Sequence, residues 1–404
     1  MSELAEQQLP DRREQVTVAP AADRLEGRRF TMVMAWATLG GAERNALRLA
    51  RHLAHDRGAT VEVCSLTEQD GEAPRQFGES GIPWRPLPFE WPAGRIAKPR
   101  ALGSFAWGLR RLSPDILMPF CSRPNILCGL VWRTTGASLC VWHQQDVIPV
   151  TRFSPTLVRR AARSTPLFMS NSQHGIEHLV ATIGVVRERV HYGPSAVELP
   201  AAREGRETWR HRCDAHDEDF VACMIAHLRE GKDYATLLRA WSIVGDRLAD
   251  LGQRAVLVFA GTGPAEVAAK AVAFDLGLGR TVRFLGHVDD VAGLIGACDA
   301  GVLSSLGEGC PLGILECMAA GLPVAGTDIP GIREAVGPDG FAYLAPPGDA
   351  EALAAALARL AEDPQERRVL GKKNARRVST HFSLPHALEA ETGVLERELA
   401  RRNG

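Results

Sequence analysis

Two glutamates, Glu308 and Glu316, have seven residues between them in the run Glu-Gly-Cys-Pro-Leu-Gly-Ile-Leu-Glu. Glu308 falls in a Gly/Pro loop after the apolar strand 300–303, and Glu316 on the second turn of an apolar helix from about Leu312 to Ala320. A Gly-rich loop at a strand's carboxyl end, opening into a helix, is how an α/β sheet holds a phosphate, since the first helical N–H groups point at the anion. Cations that would meet such a group stand in Ile-Ala-His-Leu-Arg-Glu-Gly-Lys-Asp, residues 225–233, after another apolar strand. Arg229 and Lys232 could neutralise a diphosphate there; in isolation the run also reads as a solvated basic loop. Gly40-Gly41-Ala42-Glu43-Arg44 follows the first strand. Its paired glycines allow close backbone approach to a ligand, and an ordinary βα turn is the plainer alternative. His143, with Gln144, Gln145 and Asp146, closes a strand with four hydrogen-bonding side chains, either a surface for a sugar or polar ligand or a structural histidine with polar neighbours.

Other motifs exclude chemistry. Gly261-Thr262-Gly263-Pro264 has Glu266 where the dinucleotide fingerprint has its third glycine, and there is no Gly-Lys-Ser/Thr phosphate loop. Hydride transfer with a nicotinamide and ATP hydrolysis both lose support. Asp217-Glu218-Asp219 precedes a strand, and it reads as a solvated linker, as do His211, Cys213 and His216 beside it; no metal site is expected. Arg159, Arg160 and Arg163 near Phe153 and Leu157 could touch an anionic membrane or a charged acceptor, but a solvated helix face is the favoured reading.

The elements that position these groups alternate strand and helix. Strands are expected at 30–35, 60–66, 84–87, 115–120, 139–142, 167–170 and 189–192, with helices of 3.6-residue periodicity between them. Periodicity fails between Gly193 and Asp219 and then resumes, with strands at 220–225, 255–260, 282–285, 300–303, 323–325 and 341–344. The pattern predicts two tandem doubly wound Rossmann-like domains, residues 29–198 and 219–380, joined by a linker at 199–218. Residues 1–28 read as a disordered tail. The last helix, in 381–404, has no place on the second sheet and is expected to pack elsewhere, the first domain being the candidate. Ligands in such sheets bind at the carboxyl ends of strands, so two facing edges make an interdomain cleft.

A chain of 404 residues with 45% hydrophobic content fills two cores. Its net charge of -1 gives no field to draw nucleic acid. Nine cysteines without a regular spacing suggest reduced thiols and a cytoplasmic protein, peripheral contact with the inner membrane face being left open. No apolar run approaches the roughly 18 residues of a membrane span, and the N-terminus lacks the apolar core of a signal peptide.

Taken together, the Glu-(seven residues)-Glu run, the Gly-Gly-Ala-Glu-Arg run at Gly40, Lys232 in Leu-Arg-Glu-Gly-Lys-Asp and the strand-exit His143 resemble the retaining GT-B glycosyltransferases of family 4, the glycosyl transferases group 1. Phe284-Leu-Gly-His-Val-Asp-Asp, which contains Val288, and Val258-Phe-Ala-Gly-Thr-Gly-Pro resemble the C-terminal domain of that family. The resemblance runs roughly from Phe30 to Arg402. It implies a GT-B fold and transfer of a sugar from a nucleotide-diphosphate donor to a hydroxyl of a glycan, lipid-linked or small-molecule acceptor. It implies that no metal and no cofactor is needed, because Lys232 and backbone N–H groups from Cys310 to Gly313 take up the departing diphosphate's charge. By the same resemblance Glu316 accepts two ribose hydroxyls, Glu308 holds the transferred sugar, His143 touches that sugar, and Gly41 admits the diphosphate and acceptor. The implied donor-binding set is Gly41, Arg229, Lys232, Val288, Glu308, Gly309, Cys310, Pro311, Leu312, Gly313 and Glu316, with His143, Lys232 and Glu308 catalytic. Retention is expected by front-face attack, the leaving phosphate drawing off the acceptor proton.

The chain has Ala226-His227-Leu228 where many relatives have Gly-Arg-Leu, so whether His227 or Arg229 replaces that arginine stays open. At the linker, Tyr192-Gly-Pro-Ser-Ala-Val-Glu stands for the frequent Asn-Gly-Val-Asp. A sugar-nucleotide 2-epimerase on the same fold and a non-catalytic transferase-like partner protein are the competing readings. The loops around 66–100, where the acceptor is expected, carry no readable code, and the donor's base and sugar are not legible either.

Overall fold

The computed structural model of the chain describes residues 24–67, 71–93, 97–145 and 153–403. Asp146, grouped with His143 by sequence, and the tail up to residue 23 lie outside the described residues. Seven strands form the first sheet: β1 (Arg29–Met34), β2 (Thr60–Ser65), β3 (Trp84–Pro86), β4 (Ile116–Pro119), β5 (Leu139–Gln144), β6 (Leu167–Ser170) and β7 (Val190–Tyr192). Six form the second: β8 (Phe220–Ile225), β9 (Ala255–Ala260), β10 (Val282–Phe284), β11 (Ala300–Leu303), β12 (Val324–Thr327) and β13 (Leu344–Ala345). The orders are β3-β2-β1-β4-β5-β6-β7 and β10-β9-β8-β11-β12-β13, and every neighbouring pair is parallel. Both are doubly wound sheets, as the alternating pattern predicts.

These strands are continuous apolar runs because helices cover both faces. In the first sheet Met32, Met34, Leu139 and Val141 face one core, and Val33, Leu117 and Cys140 face the other, as the two-residue strand period requires. The first of these cores also receives Val394, Leu395 and Leu399 from the last helix, Leu384–Asn403. That helix therefore lies on the N-terminal sheet, after the chain has left the C-terminal domain. Leu25, which the sequence places in the tail, is wholly buried in the same core, so the folded part begins before Arg28.

Two expectations are corrected. The strand predicted at 341–344 is mostly a 3-10 turn, Pro338–Tyr343, and only Leu344–Ala345 pairs with β12. Gly337, at φ 68°, and Pro338 set that turn, and the apolar Phe341 and Tyr343 follow it instead of a strand. The linker is not a solvated connector. It carries the helix Arg206–Arg212, whose buried Trp209 donates from Nε1 to Asp290 Oδ2 at 2.9 Å. Arg210 donates to Ala297 O at 3.1 Å and Asp299 Oδ2 at 2.7 Å. Cys213 is buried, and Asp219 is buried against Arg254 at 3.0 Å, while Asp217, Glu218, His211 and His216 are exposed. Among the described residues no group of three or more His, Cys, Asp or Glu could hold a metal ion, and no helix is long and apolar enough to cross a membrane.

Candidate functional site

In each sheet the strand order reverses between its first and fourth strands, β1/β4 and β8/β11, and an open α/β sheet binds ligands at that reversal. The loops leaving β8 and β11 are stitched together there. Leu306 N donates to Gly231 O at 2.8 Å, and Ser304 Oγ to Lys232 O at 2.7 Å. Lys232 Nζ then reaches Glu308 Oε1 at 2.5 Å, and Ser305 Oγ donates to the same oxygen at 2.5 Å. Asp233 follows in the left-handed region, at φ 46°, and its Oδ1 caps the helix Tyr234–Asp250 by accepting from Thr236 N at 3.3 Å. Gly261 and Gly263, at φ 137° and 159°, pass directly under the β8 loop. A Cβ at either would lie 2.1 or 2.3 Å from the carbonyl oxygens of Ala226 and Leu228. The Gly-Thr-Gly run that fails as a dinucleotide fingerprint thus supports the loop that carries His227, Arg229 and Lys232. Arg229 and His227 are exposed on this loop; partial desolvation of the ring, with Arg229 and Lys232 nearby, lowers the His227 pKa.

The helix Leu312–Ala319 starts against the end of β8, where a Cβ on Gly313 would lie 2.1 Å from Ile225 O. Its N-cap, Pro311, has no side-chain hydrogen bond to offer, so the first-turn N–H groups lack a protein side-chain cap. Glu316 sits one turn on and is buried. Burial raises its pKa, and Arg44 and Arg48 of the other domain oppose that rise. Arg44 Nη1 is 3.5 Å from Glu316 Oε1. Val288 is buried in the C-terminal core.

The N-terminal domain brings its own strand exits to this place. Gly40 N donates to Glu43 Oε2 at 3.1 Å, which fixes the turn into the helix Gly41–Arg51. A Cβ on Gly41 would come 3.5 Å from Leu312 Cδ1, so the Gly-Gly turn lies over the helix start of the opposite domain. Four neutral polar side chains form a box beside it. Asn45 Nδ2 donates to Gln145 Oε1 at 3.2 Å and Ser195 Oγ at 3.0 Å, and Asn171 Nδ2 to the same two atoms at 3.1 and 3.2 Å. Gly309 rests on this box: its Cβ would lie 2.6 Å from Gln145 O and 2.9 Å from Asn171 Oδ1. Cys310 is next to it, its thiol pushed up to about 12 by burial, with a hydrogen bond to Ser195 opposing the rise. Further along the junction Gln173 N donates to Glu334 Oε2 at 2.8 Å, and the Tyr192 hydroxyl bonds the same carboxyl.

The structure therefore assembles Gly41, Lys232, Glu308, Gly309, Cys310, Pro311, Leu312, Gly313 and Glu316 at one junction. It does not bring His143 to the surface of that junction. His143 has no exposed area; its ring stacks on Phe120 at 4.3 Å, and Asn125 clasps its backbone at 2.8 and 3.2 Å. His143 lies beneath the floor of the junction, with Gln145, two residues on, in the box above. Sequence reasoning missed Asn45, Asn171 and Ser195, and the pairing of Arg44 with Glu316. Their signal was position alone: Asn171 and Ser195 stand just after strand ends, and Arg44 and Asn45 near the start of the helix Gly41–Arg51.

The sequence model of the family described as Glycosyltransferase Family 4 matches residues 39–199, and that of Glycosyl transferases group 1 matches residues 205–377. Relatives include the putative glycosyltransferase EpsD of Bacillus subtilis, 30% identical over 190 residues, 47% of this chain and 49% of that protein. The MMP alpha-(1->4)-mannosyltransferase of Mycolicibacterium hassiacum is 29% identical over 249 residues, 60% of this chain and 57% of that one. The chain spans about half the length of the curated relatives it matches. Among solved structures, Anabaena Alr3699/HepE in complex with UDP-glucose superposes with a TM-score of 0.78 at 19% identity, covering 91% of this chain and 99% of that one. Sucrose-phosphate synthase from Thermosynechococcus elongatus gives 0.73 at 17%, covering 93% and 99%. At such identities the likeness is one of fold, the two Rossmann-like domains of GT-B. With one family match on each domain and this fold beneath both, the chain belongs to the family 4, group 1 glycosyltransferases.

Proposed function

We propose that the protein transfers a sugar from a nucleotide-diphosphate sugar to an acceptor hydroxyl with retention of configuration. The observation that carries this reading is the contact of Lys232 with Glu308 at the β8/β11 reversal, one helical turn and a loop away from Glu316. Glu316 accepts the two ribose hydroxyls, a task for a carboxylate held rigid by helix and burial. Lys232 and the first-turn amides of the helix Leu312–Ala319 meet the diphosphate, whose negative charge grows as the sugar leaves. Arg229, exposed on the same loop and permanently charged, takes the place of the missing loop arginine in preference to His227, whose pKa is lowered by partial burial and by Arg229 and Lys232 nearby. Glu308 holds hydroxyls of the transferred sugar. The Asn45–Gln145–Asn171–Ser195 box presents neutral donors and acceptors suited to hydroxyl groups on the opposite wall.

In the step itself the bond from the sugar's anomeric carbon to the β-phosphate oxygen breaks as the bond to the acceptor oxygen forms on the same face. The acceptor proton goes to the departing phosphate oxygen. Glu308 is occupied by Lys232 and Ser305 at the same oxygen, which suits a holder of hydroxyls better than a free nucleophile. Lys232 and the amides supply the charge stabilisation, so we propose turnover without a divalent cation.

The test is a panel of uridine- and guanosine-linked sugars, with release of nucleoside diphosphate followed with and without EDTA, and the product anomer read by NMR. Release that EDTA leaves unchanged, with the donor's anomeric configuration kept, supports the reading. Inversion overturns the retaining mechanism; epimerised nucleotide sugar without an acceptor overturns the transferase in favour of an epimerase.

A further inference from the structure

Under the cleft floor two buried polar side-chain atoms face each other, each without a hydrogen-bond partner among the described residues. They are Nε2 of His143 and Oε2 of Glu391, 3.9 Å apart. His143 comes from β5, and Glu391 from the last helix, Leu384–Asn403, which returns from the C-terminal domain. Both are buried, and the stem of Glu391 lies against Gly193, whose Cβ would meet its Cγ at 3.1 Å. A buried polar atom left without a partner costs about 1–3 kcal/mol. Two of them facing each other are best explained as the two ends of one bond.

The hydrogens decide the direction of that bond. Nδ1 of His143 lies 3.3 Å from Val141 O, and a carbonyl only accepts, so Nδ1 carries the ring hydrogen. Nε2 is then a lone pair that requires a donor. An ionised carboxylate has none to give; a carboxylic acid has one. Burial pushes Glu391 up to about 8 and His143 down to about 4, the latter against the carbonyls of Val141 and Pro119. Both groups are thus uncharged at neutral pH. No ionised side chain from any neighbouring element is a cause of either shift: Arg44 and Arg48 of the helix Gly41–Arg51 act on Glu316, and Arg57 pairs with Glu396.

We propose that Glu391 is a positioning residue whose carboxylic acid donates a hydrogen bond to His143 Nε2, holding the imidazole and the β5 exit that carries Gln145 in place beneath the cleft. A small rotation of the Glu391 side chain closes the gap to the usual O–H···N length of about 2.7–2.9 Å. The last helix thereby supports the floor of a site whose other wall belongs to the domain it has just left. That this floor serves sugar transfer rests on the preceding reading; the bond itself does not.

The pH dependence has a definite sign. Between pH 4.5 and 8 folding takes up a proton at Glu391, so stability falls as pH rises; between 4 and 6.5 folding expels one at His143, so stability rises. The two cancel up to 6.5, and above it the Glu391 term stands alone to about 8. One proton changes the unfolding constant tenfold per pH unit, so wild type loses roughly 30-fold in that interval. Urea unfolding of the full chain at pH 6.5 and 8.0 should show this loss relative to Glu391→Gln, whose amide still donates to Nε2 but does not titrate. Nitrogen-15 NMR of the wild type, with His143→Gln as the assignment control, should show His143 neutral with its hydrogen on Nδ1. Turnover should be retained in Glu391→Gln and reduced in Glu391→Ala. An Nε2–H or charged imidazole, or the same pH slope in wild type and Glu391→Gln, overturns the proposal; should the variant not fold, the wild-type spectrum alone decides. Absence of turnover in wild type overturns the transferase reading and leaves the first two readouts to judge the bond.

Discussion

Lys232 and Glu308 are each less than one-fifth exposed and lie on loops from adjacent strands, so each holds the other where a donor would meet both. Replacing either by alanine removes a charge-bearing contact while leaving strands and helix starts alone. Turnover should fall by about 10²-fold or more for Lys232→Ala and for Glu308→Ala, with the melting temperature nearly unchanged, as measured by initial rates and thermal unfolding. Glu316 behaves differently because burial raises its pKa. Protonation removes one of its acceptor positions, so donor affinity should weaken as pH falls through that raised pKa. Titration calorimetry across pH, with Glu316→Gln showing the weak affinity at every pH, is the check. The loops and the helix turn that carry the two glutamates and Lys232 were legible in the sequence because a strand end and a Gly/Pro run mark them locally, whereas the contact of Lys232 with Glu308, 76 residues apart in the chain, was not. Arg44 against Glu316, and Glu391 against His143, were not legible, since each pair joins segments that only the tertiary fold brings together. The burial of His143 was not legible for a related reason. A strand exit gives the height of a residue in a sheet but not what covers it, and here the last helix covers it.

At the scale of elements, the site depends on how closely the helix Leu312–Ala319 approaches β8. Gly313 permits that approach, its Cβ position lying 2.1 Å from a backbone oxygen that cannot move aside. Gly313→Ala should therefore cost about 1–3 kcal/mol by overpacking, seen as a lower urea midpoint, and should raise the KM for donor because the helix start is displaced. The strand pattern of both sheets was legible because parallel strands covered on both faces are unbroken apolar runs. The short β13 was not: the Pro338 turn delays it past Phe341 and Tyr343, whose apolar character imitates a strand. The linker failed the periodicity test since its one helix, Arg206–Arg212, is held by Trp209 and Arg210 on distant partners and lacks a repeating apolar face.

For the whole molecule, the two domains meet through Gly309 on Gln145 and Asn171, Gly41 over Leu312, Arg44 with Glu316 and Gln173 with Glu334. A methyl group on Gly309 would hold the β11 loop off the N-terminal box without touching the C-terminal core. Gly309→Ala should lower kcat while nucleoside diphosphate affinity and thermal stability stay close to wild type, as read by steady-state kinetics and calorimetry. The central claim is that this junction binds a nucleotide-diphosphate sugar. Its most direct test is a thermal-shift titration of the purified chain with uridine- and guanosine-diphosphate sugars, since a ligand at 100 times its Kd stabilises the native state by about 2.7 kcal/mol. A saturable rise in melting temperature for at least one donor, abolished in Glu316→Gln and Lys232→Ala, is the predicted result. No shift with any of them, or a shift that both variants retain, would contradict it.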